Sequence, residues 1–268
     1  MSKFLDLLRG IILPLGWVCA LLALATPLWF ATAALGSKWE FWPLDFGLAW
    51  MTRSVGRTLL LSCIAAGLAG VLLMLLHRIL AGRSFGVVVS PILALAVGAA
   101  GLGWVWHIDR ARAAMPVILD VTTDPVDPPY FTSAFAARRA SHDVSLDYAG
   151  KHTGDGRPLA EAQAEAYPAL TTLHLSRPPE TVFADALDYA HRQRWRIGTA
   201  SRSAGMFEAG AESFWFGLRD DIVVRVRDDG NGGSLVDIRS LARRPIHDLG
   251  RNARRVQEFR AAMGDEAE

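Results

Sequence analysis

The chain has 268 residues, two cysteines and a formal net charge of +1, and its mean hydropathy of +0.21 averages two unlike parts. Up to Trp106 the acidic residues are Asp6, Glu40 and Asp45, whereas beyond it Asp and Glu slightly outnumber Lys and Arg, so neither part presents the basic face that nucleic-acid binding requires. Cys19 and Cys63 both fall in apolar runs, which leaves the C-terminal part without a thiol for a disulfide, a metal or a nucleophile.

Residues 1–106 read as a transmembrane region. A bilayer core of about 30 Å needs about 20 mainly apolar helical residues, because every backbone amide must be satisfied within the helix. Three runs meet that need: Ile11–Leu35, Leu59–Leu76 with flanks that extend it to about 58–80, and Phe85–Trp106. None carries Asp, Glu, Lys or Arg in its interior, which argues against proton relay or coupled transport by these helices. Ala66 with Gly70, Ala94 with Gly98 and Ala99 with Gly103 are small pairs at four-residue spacing, suited to close helix packing within the bundle. Between the first two runs, Trp39, Phe41, Trp42, Phe46 and Trp50 lie among a few charges, the mixture of an interfacial loop or short amphipathic helix.

The first run is longer than a signal-peptide core and two more follow it, so it is expected to stay as an uncleaved helix. Lys3, Arg9, Arg78 and Arg83 would fall on one side of the bilayer and Lys38, Arg53, Arg57, Arg110 and Arg112 on the other, so charge bias does not choose an orientation. An odd number of spans puts the termini on opposite sides, and a cytoplasmic N-terminus would place the C-terminal domain outside the cell membrane, or in the periplasm beyond an inner membrane.

Residues 107–130 form a connector rich in Asp and Pro, which favours extended chain and turns, and 131–268 read as one soluble α+β domain. A short helix is expected over Leu159–Ala166, a strand over Leu170–Leu175, and a helix over Thr181–Arg194 opened by Pro178-Pro179. Strands follow at Trp195–Ser201, Met206–Phe216, Asp221–Arg227 and Ser234–Ser240, with Asp229–Gly233 as the last turn. A final helix over Leu249–Met263 puts Ala253, Val256, Phe259 and Met263 on one face, with Asp248 as its N-cap. The whole predicts an antiparallel sheet with helices on one face.

Alternation in the last hairpin puts Ile222, Val224 and Val226 on one face and Val223, Arg225 and Arg227 on the other. A turn centred on Asn231 sets Arg225 across from Asp237, with Arg239 nearby. That cluster is either a solvated ion-pair ladder or an anion-binding face for a carboxylate, phosphate or lipid headgroup.

The motifs Ser213-Phe-Trp-Phe-Gly217, Asp220-Asp-Ile-Val-Val-Arg-Val226, Val236-Asp-Ile-Arg-Ser240 and Asp248-Leu-Gly-Arg-Asn-Ala253, with Ala166-Tyr-Pro168, Thr123-Asp124 and Pro128-Pro129, resemble the domain of unknown function family 1499 over Asp120 to Met263. The resemblance implies a domain often exported or membrane-tethered, with no agreed activity. His247 stands where similar proteins often carry a small residue.

His107, His142, His152, His174, His191 and His247 are dispersed, without His-x-x-x-His spacing or a cysteine partner, so no metal or cofactor is expected. His247, Asp248 and Ser240 lack a nucleophile elbow. Asp220 with Asp221 and Asp228 with Asp229 flank predicted turns, where Asp is common for its own hydrogen bonding. The expected function is a non-enzymatic envelope protein in contact with the lipid bilayer, its domain binding a partner protein or an anionic lipid or cell-wall ligand through Arg225, Asp237, Arg239 and Trp215. Two other readings stay open: an enzyme using Glu208, Asp221, Arg225 or Arg239 in a cleft between sheet and connector, and an apolar-ligand carrier lined by Trp195, Phe214, Trp215 and Phe216.

Overall fold

The computed structural model describes residues 2–82, 89–139 and 144–265; Arg83, the expected third-span start at Phe85, and His142 lie outside them. Its contacts divide the chain into two units, Met1–Arg110 with Phe214–Gly217, and Ala111–Ser213 with Leu218–Glu268.

The first unit is built on α1 (Ser2–Lys38), α2 (Gly56–Ala81) and α3 (Val89–Ala114). A π-helical stretch, Phe46–Val55, runs directly into α2. Three helical stretches, Lys3–Lys38, Phe46–Ala81 and Val89–Ala114, are long and apolar enough to cross a membrane, which marks the protein as membrane-associated. Both ends of α1 pass the apolar run that suggests it, and α3 continues two turns beyond Trp106, because polar residues outside the apolar core still favour continued helix. Close packing rests on small residues: a Cβ at Gly67 would meet the Pro91 carbonyl at 2.7 Å, and one at Gly98 would meet the Leu60 carbonyl at 2.7 Å. Ala94 is buried with Cys19 and Ala23. Gly103 and its neighbour Ala99 take no part, since Ala99 is exposed and a Cβ at Gly103 would meet nothing within 4 Å among the described residues. In the π-helical stretch Phe46 and Trp50 stack at 4.9 Å with both side chains exposed, as a headgroup-level segment would have them.

The second unit is an α+β domain whose six strands form one antiparallel sheet. In chain order the elements are β1 (Asp120–Thr122), α4 (Ser133–Ala137), α5 (Leu159–Ala166), β2 (Leu173–Leu175), α6 (Pro179–Arg192), β3 (Arg196–Ser201), β4 (Met206–Glu212), β5 (Arg219–Asp228), β6 (Ser234–Ala242) and α7 (Arg251–Asp265). The spatial order is β1, β6, β5, β4, β3, and β2 also pairs with β6. The connector therefore contributes a strand: Asp120 to Thr122 pair with Leu241 to Arg239. Gln163 of α5 completes it, its side-chain amide donating to the Thr122 carbonyl and accepting from the Thr122 amide, as a neighbouring strand would.

Helices α6 and α7 cover one face of the sheet. Val182, Phe183, Ala186 and Ala190 of α6 and Ala253, Val256, Phe259 and Met263 of α7 meet Phe207, Ala209, Ile222, Val224, Val236 and Ile238. At the centre Phe259 packs edge-on to Tyr189 at 5.4 Å and stacks with Trp195 at 6.3 Å. Asp248 steadies the start of α7 by accepting from the amides of Gly250 and Asn252. His247 Nδ1 accepts from the Leu249 amide, which leaves its Nε2 to donate to the carbonyls of Arg112 and Met115; the side chain is spent on structure. The Asp228 and Asp229 carboxylates accept from the amides of Gly230, Asn231 and Gly233 and so shape the β5–β6 turn.

Candidate functional site

Strand alternation sends Asp220 and Asp221 to opposite faces, and both lie in β5, which begins at Arg219, just after the β4–β5 loop that they flank. On the helical face Asp220 accepts from Arg251 at 2.7 and 2.8 Å and from Arg255 at 2.8 Å, fastening α7 to the sheet. On the other face Asp221 stands between Arg139 and Arg243, each 2.8 Å away. Burial pushes its carboxyl above the ordinary value, against the opposing pull of the two guanidinium groups.

That second face is not open to water along β5 and β6, because the connector lies over it. The register puts Arg225 opposite Asp237. Arg225 donates to Asp237 at 3.0 Å, to the Asp127 carboxylate at 2.9 Å and to the Asp127 carbonyl at 2.7 Å. Asp237, fully buried, also accepts from Arg227 at 2.7 Å and from the hydroxyls of Thr172 and Thr123. Arg239 forks onto Asp120 at 2.7 and 2.8 Å, donates to the carbonyls of Pro129 and Leu146, and lies over the rings of Phe131 and Tyr148. Burial, with Asp120 close by, holds the Tyr148 hydroxyl far above its ordinary titration range, so it stays neutral. The solvated ladder is thus replaced by a buried network whose job is to hold the connector. Glu208 serves it too, accepting from the Thr132 amide at 2.5 Å and from the hydroxyls of Thr132 and Thr199.

Glu208, Asp221, Arg225 and Arg239, grouped as the enzyme reading would have them, are each engaged with the connector or its flanks. Trp215 sits in the β4–β5 loop, 52% exposed and edge-on to Phe214, while Trp195 is buried beneath α7. Among the described residues no group of three His, Cys, Asp or Glu is placed to hold a metal ion.

A different site opens where the connector ends. Beyond α4 the described residues leave a cleft of about 320 Å³ at β3 and β4. It is lined by Phe135, Arg138 and Arg139 at and after α4, by Arg196, Ile197 and Gly198 of β3, by Gly210, Ala211 and Glu212 of β4, and by Arg219 and Arg243; the Ile197 and Ala211 side chains pack against the core on the other face. Gly198 sits at a bulge between β3 and β4, and the missing side chain admits the Phe135 ring, which would stand 3.1 Å from a Cβ there. Gly210 keeps the floor low: a Cβ would meet only Arg243 Nη2 and the Asp220 carbonyl, both at 3.8 Å.

Among the described residues five arginines line this cleft against Glu212, with Asp221 beneath. Glu212 pairs with Arg196 at 3.0 Å and with Arg219 at 3.5 Å. Arg139 and Arg243 approach Asp221 through Nε, the inner edge of each fork. None of these arginines was legible as a site in the sequence: they come from the end of α4, β3, the start of β5 and the residue after β6. The one local hint is glycine inside a predicted strand, at 198 and 210, a sign of a bulge or of close approach by another group.

Fold and site together define a membrane-associated protein with an α+β domain that presents an arginine-lined cleft on the sheet face opposite α6 and α7. The family model described as protein of unknown function, DUF1499, matches residues 120–263, more than half of the chain and nearly all of this domain. The chain belongs to that family. No curated protein matches it.

Proposed function

We propose that this is a membrane-anchored, non-enzymatic binding protein of the cell envelope, whose domain takes an anionic ligand into the arginine-lined cleft. The observation that carries the reading is that five arginine residues line one cleft together with Gly198 and Gly210. Arginine suits this use because its planar fork stays charged and binds oxyanions through paired hydrogen bonds. Arg225, Asp237 and Arg239 serve the site by positioning, since they hold the connector from which Arg138 and Arg139 extend. The ligand belongs to a lipid headgroup, a cell-wall component or an acidic segment of a partner protein.

Gly210→Val tests the site. Its backbone is outside the left-handed region and a Cβ would have Arg243 Nη2 and the Asp220 carbonyl at 3.8 Å, so valine narrows the cleft without replacing any ion-paired side chain. In the full chain, binding of inorganic phosphate or of phosphatidylglycerol vesicles should weaken by about tenfold or more, with the unfolding midpoint held within a few degrees. Unchanged binding by the folded variant would remove the cleft as the site.

The domain is placed outside the cytoplasm in this reading, in keeping with three spans and a cytoplasmic N-terminus. A tag appended after Glu268 should then be digested by protease in intact cells with a permeabilised outer layer. Protection until lysis reverses the orientation.

A further inference from the structure

We infer that the β4–β5 loop is a second point of contact with the membrane: Phe214 and Trp215 at its tip enter the headgroup layer of the bilayer that the apolar helices are built to cross. The inference rests on those helices and on the loop, and is independent of the arginine-lined cleft. Ser213 to Leu218 form an uncharged excursion between β4 and β5, Ser-Phe-Trp-Phe-Gly-Leu. Its neck is closed twice: the Ser213 amide donates to the Leu218 carbonyl at 2.8 Å, and the Ser213 hydroxyl accepts from the Leu218 amide at 2.9 Å. Phe216 and Gly217 take left-handed backbone, with φ of 55° and 60°, a region that a phenylalanine seldom occupies. The loop is thus fixed in shape, and it turns two aromatic rings outward. Phe214 is 69% exposed and Trp215 52%, edge-on to each other at 4.9 Å.

The sheet topology says what meets these rings. Asp120 of β1 lies opposite Leu241 of β6, and Leu241 lies opposite Asp221 of β5, while the Leu119 carbonyl accepts from the Ala242 amide. The chain arriving from α3 therefore enters the sheet at the end that carries the β4–β5 loop. The β5–β6 turn lies at the other end, about 30 Å away along β5. Residues 115–119 join Ala114, the end of α3, to Asp120, a tether of at most about 20 Å. Helix α3 itself marks where the apolar layer ends: Trp106 is exposed, with the Arg110 guanidinium 4.3 Å over its ring, an aromatic and a cation of the kind that favours the interface. Covalent structure alone keeps this end of the sheet near lipid. The indole combines an apolar body with a polar N–H and so suits that layer, and a loop without charged side chains avoids the main cost of leaving water.

The test uses the full chain in phosphatidylcholine nanodiscs, with a nitroxide attached at Phe214→Cys or, as the far-end control, at Asn231→Cys in the exposed β5–β6 turn. Cys19 and Cys63 are buried, and the wild-type chain taken through the same labelling corrects for them. Collisions with oxygen, which concentrates in lipid, should rise at 214 relative to 231, and collisions with a water-soluble nickel chelate should fall. Trp215→Glu should abolish both shifts and leave the unfolding midpoint in place. Equal nickel access at the two positions overturns the inference. A label at 214 shielded from both reagents also overturns it, since protein, the chain itself or a second copy, would then cover the loop. A lipid signature that survives Trp215→Glu does the same, because it would belong to the label and not to the aromatic pair.

Discussion

Asp237→Ala should destabilise the soluble domain by about 3 to 5 kcal/mol, the scale for removing one partner of a buried ion pair. The carboxylate is fully buried and accepts from two guanidinium groups and two threonine hydroxyls. Alanine leaves Arg225 with Asp124 and Asp127 on one side and an apolar gap on the other, and takes the Asp237 acceptor from the Thr172 and Thr123 hydroxyls. Because Asp237 ties β6 to the connector, the loss should appear first over residues 120–132, as faster amide exchange and earlier proteolysis than at α6. Urea unfolding of the full chain in detergent gives the magnitude. A change below about 1 kcal/mol would mean the connector is held by something other than this network.

The second large effect lies on the opposite face. Phe259→Ala removes a ring with no exposure that touches both Tyr189 and Trp195, and a loss of about 3 to 5 kcal/mol is expected for an aromatic truncated in a packed core. Phe259→Leu should recover a large part of it, because most of the buried area returns without the ring geometry. The fluorescence of Trp195, which stacks on Phe259, should shift to the red in the alanine variant as water reaches the indole. If both variants unfold with the wild type, α7 is not part of the cooperative core.

What could be read from the sequence was local and periodic. The helix Leu159–Ala166 has both predicted ends, and the β5–β6 hairpin has the predicted Arg225–Asp237 register, because turn glycines and two-residue alternation fix both without outside help. Three apolar runs declared themselves by length alone. Less legible was anything settled by distant chain. Asp120–Thr122 is three residues in a Pro- and Asp-rich segment, too short for a pattern, and becomes a strand only because β6 offers an edge and Gln163 closes the other side. For the same reason β4 stops at Glu212, short of the apolar Phe214–Phe216 that seemed to continue it: β5 starts at Arg219 and offers no partner further on. Arg225 and Arg239 stood out because they alternate with apolar residues, yet such alternation cannot reveal that a connector covers them. The cleft arginines are scattered from 138 to 243 and meet only in the folded sheet.

The pairing of β1 with β6 also fixes an order of events during synthesis. Asp120 meets Leu241 and Thr122 meets Arg239, so among the described residues the first strand of the domain finds its ladder partner in β6, the last strand to be made. Until β6 has left the ribosome, the segment next to the last apolar helix has nowhere to pair, while β3 and β4 can already form their hairpin. Chains halted before residue 234 would therefore be tethered beside a lipid surface with their connector loose and the arginines of the future cleft unassembled. Such chains should be degraded rapidly, whereas the emergence of β6 and α7 allows both faces of the sheet to close.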